Sequence, residues 1–459
     1  MDDTISIHKF KRRKFLMGED ADKGEDKISK MPDSILHKIL SLLPIEDVLR
    51  TSLLSKRWRY LWTSISDLDF FENSLLCRPF LADTNFVNSV ERLLLLHDSS
   101  NIQKFHLKLD LSVCPLRVTT WIAAAVRCQV QEFDLSLPNE VPVVLPDNLF
   151  TCELLKKLKL QMNSIFIFPD LIHMTNLTTL HVTATFPYDR STENLFSGCP
   201  LLQELVLHNC VWRHSDIITI SVPNIRTLTI SRDCLQPFPH GFYDSVRISA
   251  PKLTSLKCIN YLSGEVFLCN LPSLVDAYID IQGMKYMDVV VHERAIKLLG
   301  GVCKVKSLTV SNRTLPIFAS YDIFRVPLPV FGNLTHLKVN SVHRHTSAEL
   351  LHILRKSTNL ESLEMPMGIR SRHWYFHIVP SGTTILSCLK TLILTGFCPN
   401  VVEDVYFLRH LLQNAMVLEK ITIICSETIA PNSKTRKKII DRFQVFCLRR
   451  RSCVIEFLK

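Results

Sequence analysis

Few side chains in this chain of 459 residues stand at spacings that perform covalent chemistry. His343-Arg-His345 offers two imidazoles, but no cysteine or carboxylate beside them completes a metal shell, so they read as a solvated loop and no metal is expected. Fifteen cysteines run from Cys77 to Cys453 without one Cys-x-x-Cys pair, which argues against a zinc knuckle or a dithiol redox motif. Gly-x-Ser-x-Gly, a phosphate loop ending Gly-Lys-Ser/Thr, His-Glu-x-x-His and Gly-x-Gly-x-x-Gly are all missing. No catalytic residue and no cofactor is therefore expected. What remains is the chemistry of recognition: apolar side chains, hydroxyls and paired or unpaired charges.

The charge is unevenly placed. Of the formal +10, the stretch from Pro431 to Lys459 holds nine Lys/Arg against Asp441 and Glu456, a net of +7. The other residues share +3, so a global reading as a nucleic-acid binder is weak. Lys11-Arg-Arg-Lys14, Arg436-Lys-Lys438 and Arg449-Arg-Arg451 could each be an import signal, but a solvated charged face is the simpler reading. No apolar run approaches the ~18 residues of a membrane span. The N-terminus carries no secretory pattern. Odd, scattered cysteines point to a reducing compartment, the nucleus or cytoplasm. The Asn-x-Thr sequons at Asn176, Asn312 and Asn333 then carry no meaning as glycan sites.

The elements that must position a recognition surface begin at Asp26–Trp62. Three short helical patterns fit here: Pro32 opens the first, Pro44 ends it and opens the second, and Ser55 can cap the third, which carries Trp58, Leu61 and Trp62. Apolar residues at Ile35, Leu36, Ile39, Leu40, Leu42 and Leu43 exceed what one face of so short a helix hides. So small a unit has little core, and the surplus calls for a partner.

Met31-Pro32, Ile39-Leu40, Leu43-Pro44, Val48-Leu49 and the Leu-Leu-Ser-Lys-Arg-Trp run ending at Trp58 resemble an F-box. The resemblance implies docking onto a Skp1-like adaptor of a cullin–RING ubiquitin ligase. It also implies that Pro32, Ile35, Leu36, Ile39, Leu40, Leu43, Pro44, Val48, Leu49, Ser55 and Trp58 form or support the docking surface. Such a protein needs no active site, because it contributes proximity and other subunits carry the transfer chemistry.

A unit written apolar-x-x-apolar-x-apolar then recurs thirteen times, from Ile102-Gln-Lys-Phe-His-Leu107 to Leu418-Glu-Lys-Ile-Thr-Ile423. The fourth positions, Phe105 to Ile421, lie 316 residues apart over twelve steps, a mean period of about 26, inside the leucine-rich-repeat range of roughly 20–29 residues. Each unit supplies a short strand with two residues inward. Stacking the units builds a parallel sheet around a leucine core, because no single unit buries its own face. The Asn or Cys expected three residues after the last apolar position stands cleanly only at Asn163 and Cys210, so an irregular solenoid with uneven connecting loops is expected.

Asn85–His97 reads as a helix capping the open end of the sheet. At the other end come the strand Ser387–Phe397, a helix from Val401 to Ala415, the strand Leu418–Ile424, a basic helix Lys434–Phe446 and a last strand, Cys453–Phe457. Phe407-Leu-x-x-Leu-Leu-x-Asn-Ala415 and Leu418–Ile423 resemble the FBD domain that closes many plant-type F-box proteins with leucine-rich repeats. The resemblance gives an α/β fold: a disordered segment 1–22, a three-helix F-box at 23–70, an irregular leucine-rich-repeat solenoid (a parallel-sheet horseshoe) at 71–385 and an α+β FBD cap at 386–459. It implies the substrate-recognition subunit of an SCF-type ligase, with a cullin reached through the adaptor and an unknown protein substrate. The alternative is a repeat scaffold that binds the adaptor without ubiquitylating a target. Neither a membrane nor a nucleic-acid partner is expected. On each strand the residue between the inward pair faces the open side, a row that includes His181, Lys257 and Tyr278; these three are the expected target contacts, Tyr278 foremost by residue type.

Overall fold

The computed structural model describes residues 28, 30–43, 45–71, 82–97, 102–109, 113–137, 143–165, 168–186, 191–212, 217–232, 245–282, 289–319, 327–340, 348–366, 386–395, 411–412, 414–424 and 453–458. Two compact units divide the chain, Met1–Ser66 and Asp67–Lys459.

In the first unit, α1 (Asp33–Leu40) starts behind Pro32, whose extended backbone and fixed φ suit the boundary, with Asp33 in the positive first turn. α2 (Ile45–Thr51) follows. The expected third helix does not form. Residues 52–60 are turns that lead into a 3-10 helix, Leu61–Ser64, and no side chain caps it, so Ser55 is not an N-cap. Local bonds explain the change. Thr51 Oγ1 donates to Val48 O at 2.6 Å and Ser52 Oγ to Leu49 O at 2.6 Å, competing for the last carbonyls of α2. Leu53 and Leu54 N–H then close tighter bonds to Arg50 O and Thr51 O, three residues back. Leu36, Leu40, Val48, Trp58, Leu61 and Trp62 form the small core.

The second unit is an open parallel sheet. Its fifteen main strands run β1 (Asp67–Phe71), β2 (Lys104–Lys108), β3 (Glu132–Leu137), β4 (Lys157–Ile165), β5 (Thr179–Phe186), β6 (Glu204–His208), β9 (Thr227–Ser231), β11 (Ser255–Asn260), β13 (Asp276–Ile281), β14 (Ser307–Ser311), β15 (His336–Asn340), β16 (Ser362–Pro366), β17 (Thr391–Thr395), β18 (Lys420–Ile424) and β19 (Val454–Leu458). The short β7 (Val211–Trp212) pairs with β5. Every one of the thirteen repeat units lies on a main strand, with its alternate apolar residues buried. The irregular solenoid expected from the repeat is therefore present as an open stack.

Two strands extend it beyond the thirteen units. β1 pairs with β2, so Leu68 and Phe70 continue the core, and β19 pairs with β18. β1 carries the repeat pattern as Ile65-Ser-Asp-Leu68-Asp-Phe70, a copy outside the thirteen counted, whereas β19 lacks the leading apolar-x-x and is the last strand expected from its alternation. The first of them corrects the expected role of Asn85–His97. That helix, α3 (Ala82–Leu96), links β1 to β2 and is tied to α4 (Pro115–Arg127) by Glu91–Arg117 at 3.1 Å. It is a connecting element, and β1 occupies the end of the sheet.

Register is locked by one repeated hydrogen bond. The carbonyl of Gln103 accepts the N–H of both Gln131 and Glu132; Gln131 O accepts Lys156 and Lys157; Lys156 O accepts Thr178 and Thr179. The series continues without a break to Lys390 O, which accepts Glu419 and Lys420 at 2.8 and 3.0 Å. A side-chain version accompanies it. Asn176 Nδ2 donates to Glu153 O, Asn224 to Pro200 O, Asn333 to Lys304 O and Asn359 to Gly332 O, each one repeat back. The asparagine ladder thus exists, but one residue before the first apolar position of the unit. At the position where it was expected, Cys210 Sγ donates to Val182 O at 3.3 Å, while the side chain of Asn163 lies outside the described residues.

The connecting side also departs from loops alone. β8 (Ile217–Ser221), β10 (Ser245–Ser249) and β12 (Val266–Cys269) pair in parallel as a second sheet, in the order β12–β10–β8. α6 (Val289–Gly301) packs on β12, α5 (Ser191–Ser197) on β8. α7 (Pro316–Ala319) and α8 (Ala348–Arg355) lie further along the connecting segments. Inside the stack, Phe70 tilts against Phe105 and Phe105 stacks on Phe133, with centroids 5.8 and 5.4 Å apart across three strands. Of the C-terminal helices expected at 401–415 and 434–446, only residues 411–412 and 414–415 are described.

Candidate adaptor- and target-binding surfaces

The first unit sorts the expected docking residues into two groups. Leu36, Leu40, Val48 and Trp58 are buried and hold the unit together. Pro32, Ile35, Ile39, Leu43 and Ser55 are exposed, Leu49 is half-buried, and Pro44 lies outside the described residues. Ile35, Ile39 and Leu43 recur at four-residue spacing, so α1 and its continuation carry an outward apolar stripe beside the buried Leu36 and Leu40. Leu42, Leu53 and Leu54 are also exposed, at 80%, 86% and 68%, together with Tyr60. Leu53 and Leu54 stand in the Leu-Leu-Ser-Lys-Arg-Trp run that carries the family resemblance but were not among the expected docking residues, and Tyr60 falls in the helical pattern that does not form. The turns are held by Arg57, whose Nε donates to Asp33 Oδ1 at 3.1 Å and whose Nη2 donates to Met31 O. Ser64 Oγ lies 3.0 Å from His37 Nε2, and Trp62 Nε1 donates to Arg59 O at 2.8 Å. The result is a small unit with apolar groups outside, a surface suited to burial against a partner.

The second unit presents the open face of the sheet. Its middle row is in register strand by strand: His181, Val206, Thr229, Lys257, Tyr278 and Thr309 are cross-strand neighbours in that order. Lys257 and Tyr278 meet, with the ammonium 5.4 Å from the ring centroid. His181 does not join them. Two strands separate it from Lys257, and its Nε2 lies 3.2 Å from Glu204 Oε1. Elsewhere the row pairs its own charges: Asp69 with His106 at 2.8 Å, Asp134 with Lys159 at 3.5 Å, Lys338 with Glu364 at 2.7 Å. Thr422, at the far end of the row, is buried.

One polar cluster escaped the sequence reading. Asp280, at the C-terminal end of β13, is buried. Arg313 Nη2 donates to its Oδ2 at 2.6 Å and Arg313 Nε to its Oδ1 at 3.2 Å, while Ser311 Oγ donates to Oδ1 at 2.5 Å. Thr314 Oγ1 closes the cluster by accepting Ile281 N–H at 2.9 Å and donating to Ile279 O. Ser311 ends β14 and Arg313 and Thr314 follow it in a turn, so no local motif announces them. The buried thiols of Cys199, Cys210 and Cys258 have their pKa pushed up to about 12 by loss of water, which suits small apolar groups and not nucleophiles. Among the described residues, no group of three His, Cys, Asp or Glu is placed to hold a metal, and no helix is long and apolar enough to cross a membrane. His343, His345 and the three basic clusters lie outside the described residues.

Comparison with known proteins gives this geometry its context. Residues 28–69 match the F-box domain family, and residues 118–259 match the family described as FBD-associated F-box protein At5g56370, LRR repeats. The chain is 33% identical to F-box/LRR-repeat protein At4g14103 of Arabidopsis thaliana over 74% of its own length and 91% of the relative's. It belongs to the F-box/LRR-repeat family. Another family member, F-box/LRR-repeat protein At4g14096 from the same plant, is 34% identical over 74% of this chain and 72% of its own. F-box/FBD/LRR-repeat protein At2g26030 is 26% identical and aligns over 94% of this chain and 98% of its own length. The F-box match ends at 69, within β1, so family matching and strand pairing divide the chain a few residues apart. Members of this family are in general non-catalytic adaptors, and an F-box in general binds a Skp1-like adaptor.

Proposed function

We propose that this F-box/LRR-repeat protein is the substrate-recognition subunit of an SCF-type E3 ubiquitin ligase. The first unit docks a Skp1-like adaptor and through it a cullin, and the open face of the repeat sheet recruits a protein target for ubiquitylation. The observation that carries the reading is the set of exposed apolar side chains, Ile35, Ile39, Leu42, Leu43, Leu53 and Leu54, on a unit whose sequence matches the F-box. Burying one such side chain is worth roughly 1.5–3 kcal/mol, and a charge in its place cannot be buried cheaply. The compartment proposed is the nucleus or cytoplasm, a reading supported by the free, buried thiols of Cys199, Cys210 and Cys258.

The test is capture of partners by the full chain and by Leu43→Asp. The full chain is expected to bring down both adaptor and cullin, and Leu43→Asp neither, with the melting of the repeat unit unchanged. Adaptor without cullin would favour a scaffold that does not ubiquitylate. Undiminished capture by Leu43→Asp, and by Ile39→Asp, would remove the docking assignment.

A further inference from the structure

Four neighbouring strands at the centre of the sheet, β9, β11, β13 and β14, differ from those beside them. Their open-face positions form rows in register. At the N-terminal rim stand Arg226, Thr254, Val275 and Lys306, linked through the shared-carbonyl bonds. Next come Thr227, Ser255, Asp276 and Ser307, and then Thr229, Lys257, Tyr278 and Thr309. At the C-terminal end Asp280 is neutralised by Arg313. Outside this block the middle row pairs its charges internally, as Asp134 does with Lys159 and Lys338 with Glu364. Inside it, Arg226, Lys257 and Lys306 are exposed and have no carboxylate partner among the described residues, against the single exposed carboxylate of Asp276. The rest of the block is hydroxyl, aliphatic and one aromatic ring. Four strands at sheet spacing make a patch roughly 15 Å across, the span of about five residues of an extended segment.

We infer that this block is the place where the target sits, and that what it takes is an acidic segment of a protein, with Asp or Glu side chains against Lys257 and the Arg226–Lys306 rim. The inference rests on the proposed role of the sheet in recruiting a target and gives that target a chemistry. Lys257 is the centre. Its ammonium lies over Tyr278, which orders a long side chain before a ligand arrives and so reduces the entropy lost on binding. Thr229 and Thr309 flank the pair and offer hydroxyls to a carboxylate or a backbone amide. A protein segment fits better than a nucleic acid. A strand of phosphates calls for a continuous run of Lys and Arg with open aromatic faces for stacking. Here the cations are three and spaced apart, and the one ring in the row is covered by Lys257. His181, held by Glu204, stands outside the patch, so of the three expected target contacts the inference keeps Lys257 and Tyr278.

The experiment uses the full chain bound to a Skp1-like adaptor and a fluorescein-labelled ten-residue peptide that alternates Glu with Leu and Tyr. Two further probes are the same peptide with Gln for Glu and a single-stranded oligonucleotide of equal charge. Fluorescence anisotropy is expected to show the Glu peptide binding more tightly than the Gln peptide, with the difference shrinking as salt rises. Lys257→Glu should weaken the Glu peptide about tenfold or more while Lys257→Arg retains it. His181→Ala should leave it unchanged. Equal binding of the Glu and Gln peptides, an unaltered affinity for Lys257→Glu, or tighter binding of the oligonucleotide through Lys257 would each overturn the inference. Adaptor capture is read in parallel and separates the two claims: its loss in the unmodified chain defeats the ligase reading, whereas peptide insensitivity with capture intact defeats only this one.

Discussion

The carboxylate of Asp280 receives two bonds from Arg313 and one from Ser311 inside the stack, so its charge is compensated on the spot. Taking away one partner is then worse than taking away both. Arg313→Ala leaves a buried carboxylate and should cost about 3–5 kcal/mol, while Asp280→Leu combined with Arg313→Met should recover most of it. Chemical denaturation of the single and double variants measures the difference; equal losses would show that the pair acts through packing alone. His292 gives a pH test. Burial in α6 lowers its pKa, against an opposing pull from Glu293. The folded state therefore binds its proton less readily than the unfolded chain, whose histidine titrates near 6.5. Its contribution is fully present above that pH and is lost as pH falls from there through the lower pKa of the folded state. The melting temperature should drop between pH 7.5 and pH 5.5, and by less in His292→Gln. An identical drop in both would assign the loss to other groups. None of these roles was legible in the sequence. Asp280 and Arg313 lie 33 positions apart with α6 and β14 between them, and only the register of β13 against β14 joins them.

Strands were far more legible than what connects them. All thirteen repeat strands follow from one spacing rule, because alternation of apolar residues states which face is inward. The helical pattern at 55–62 misled for the opposite reason. Its apolar periodicity is real, but Arg57 and Trp58 fix it as turns by bonds and burial that no local pattern encodes. The second sheet was equally hidden, since β8, β10 and β12 are four or five residues long and find their partners only through the repeat stack. The close approach of α6 to β12 depends on a missing side chain. A Cβ on Gly301 would lie 2.8 Å from Leu268 Cδ1 and 2.9 Å from its Cβ, whereas one on Gly300 would meet nothing within 4 Å. Gly301→Ala should therefore destabilise by about 1–3 kcal/mol through overpacking. Gly300→Ala should stabilise by about 0.5–1 kcal/mol, by removing backbone freedom from the unfolded chain. Thermal melts of the two variants decide it, and shifts of the same sign would sink the argument.

Across the whole molecule, the division at Ser66 separates two kinds of failure. Leu40 is buried while Leu43 is exposed, so Leu40→Asp should unfold the first unit, whereas Leu43→Asp should leave it folded and change only its surface. Proteolysis that releases the N-terminal residues in the first variant and not in the second is the expected result. The repeat unit has a different weakness, set by the carbonyls that each accept two amides from the next strand. Those bonds lie along the stacking direction, and none spans more than one step. Under tension applied between β1 and β19, the load falls on one strand pair at a time, and the stack should peel like a row of stitches. Each event would free about 26 residues, the spacing of the repeat, or roughly 90 Å of chain. A force-extension trace would then be a long train of small teeth at near-constant spacing, the trace of a spring that yields gradually; one tall rupture peak would mean that the turns share their load.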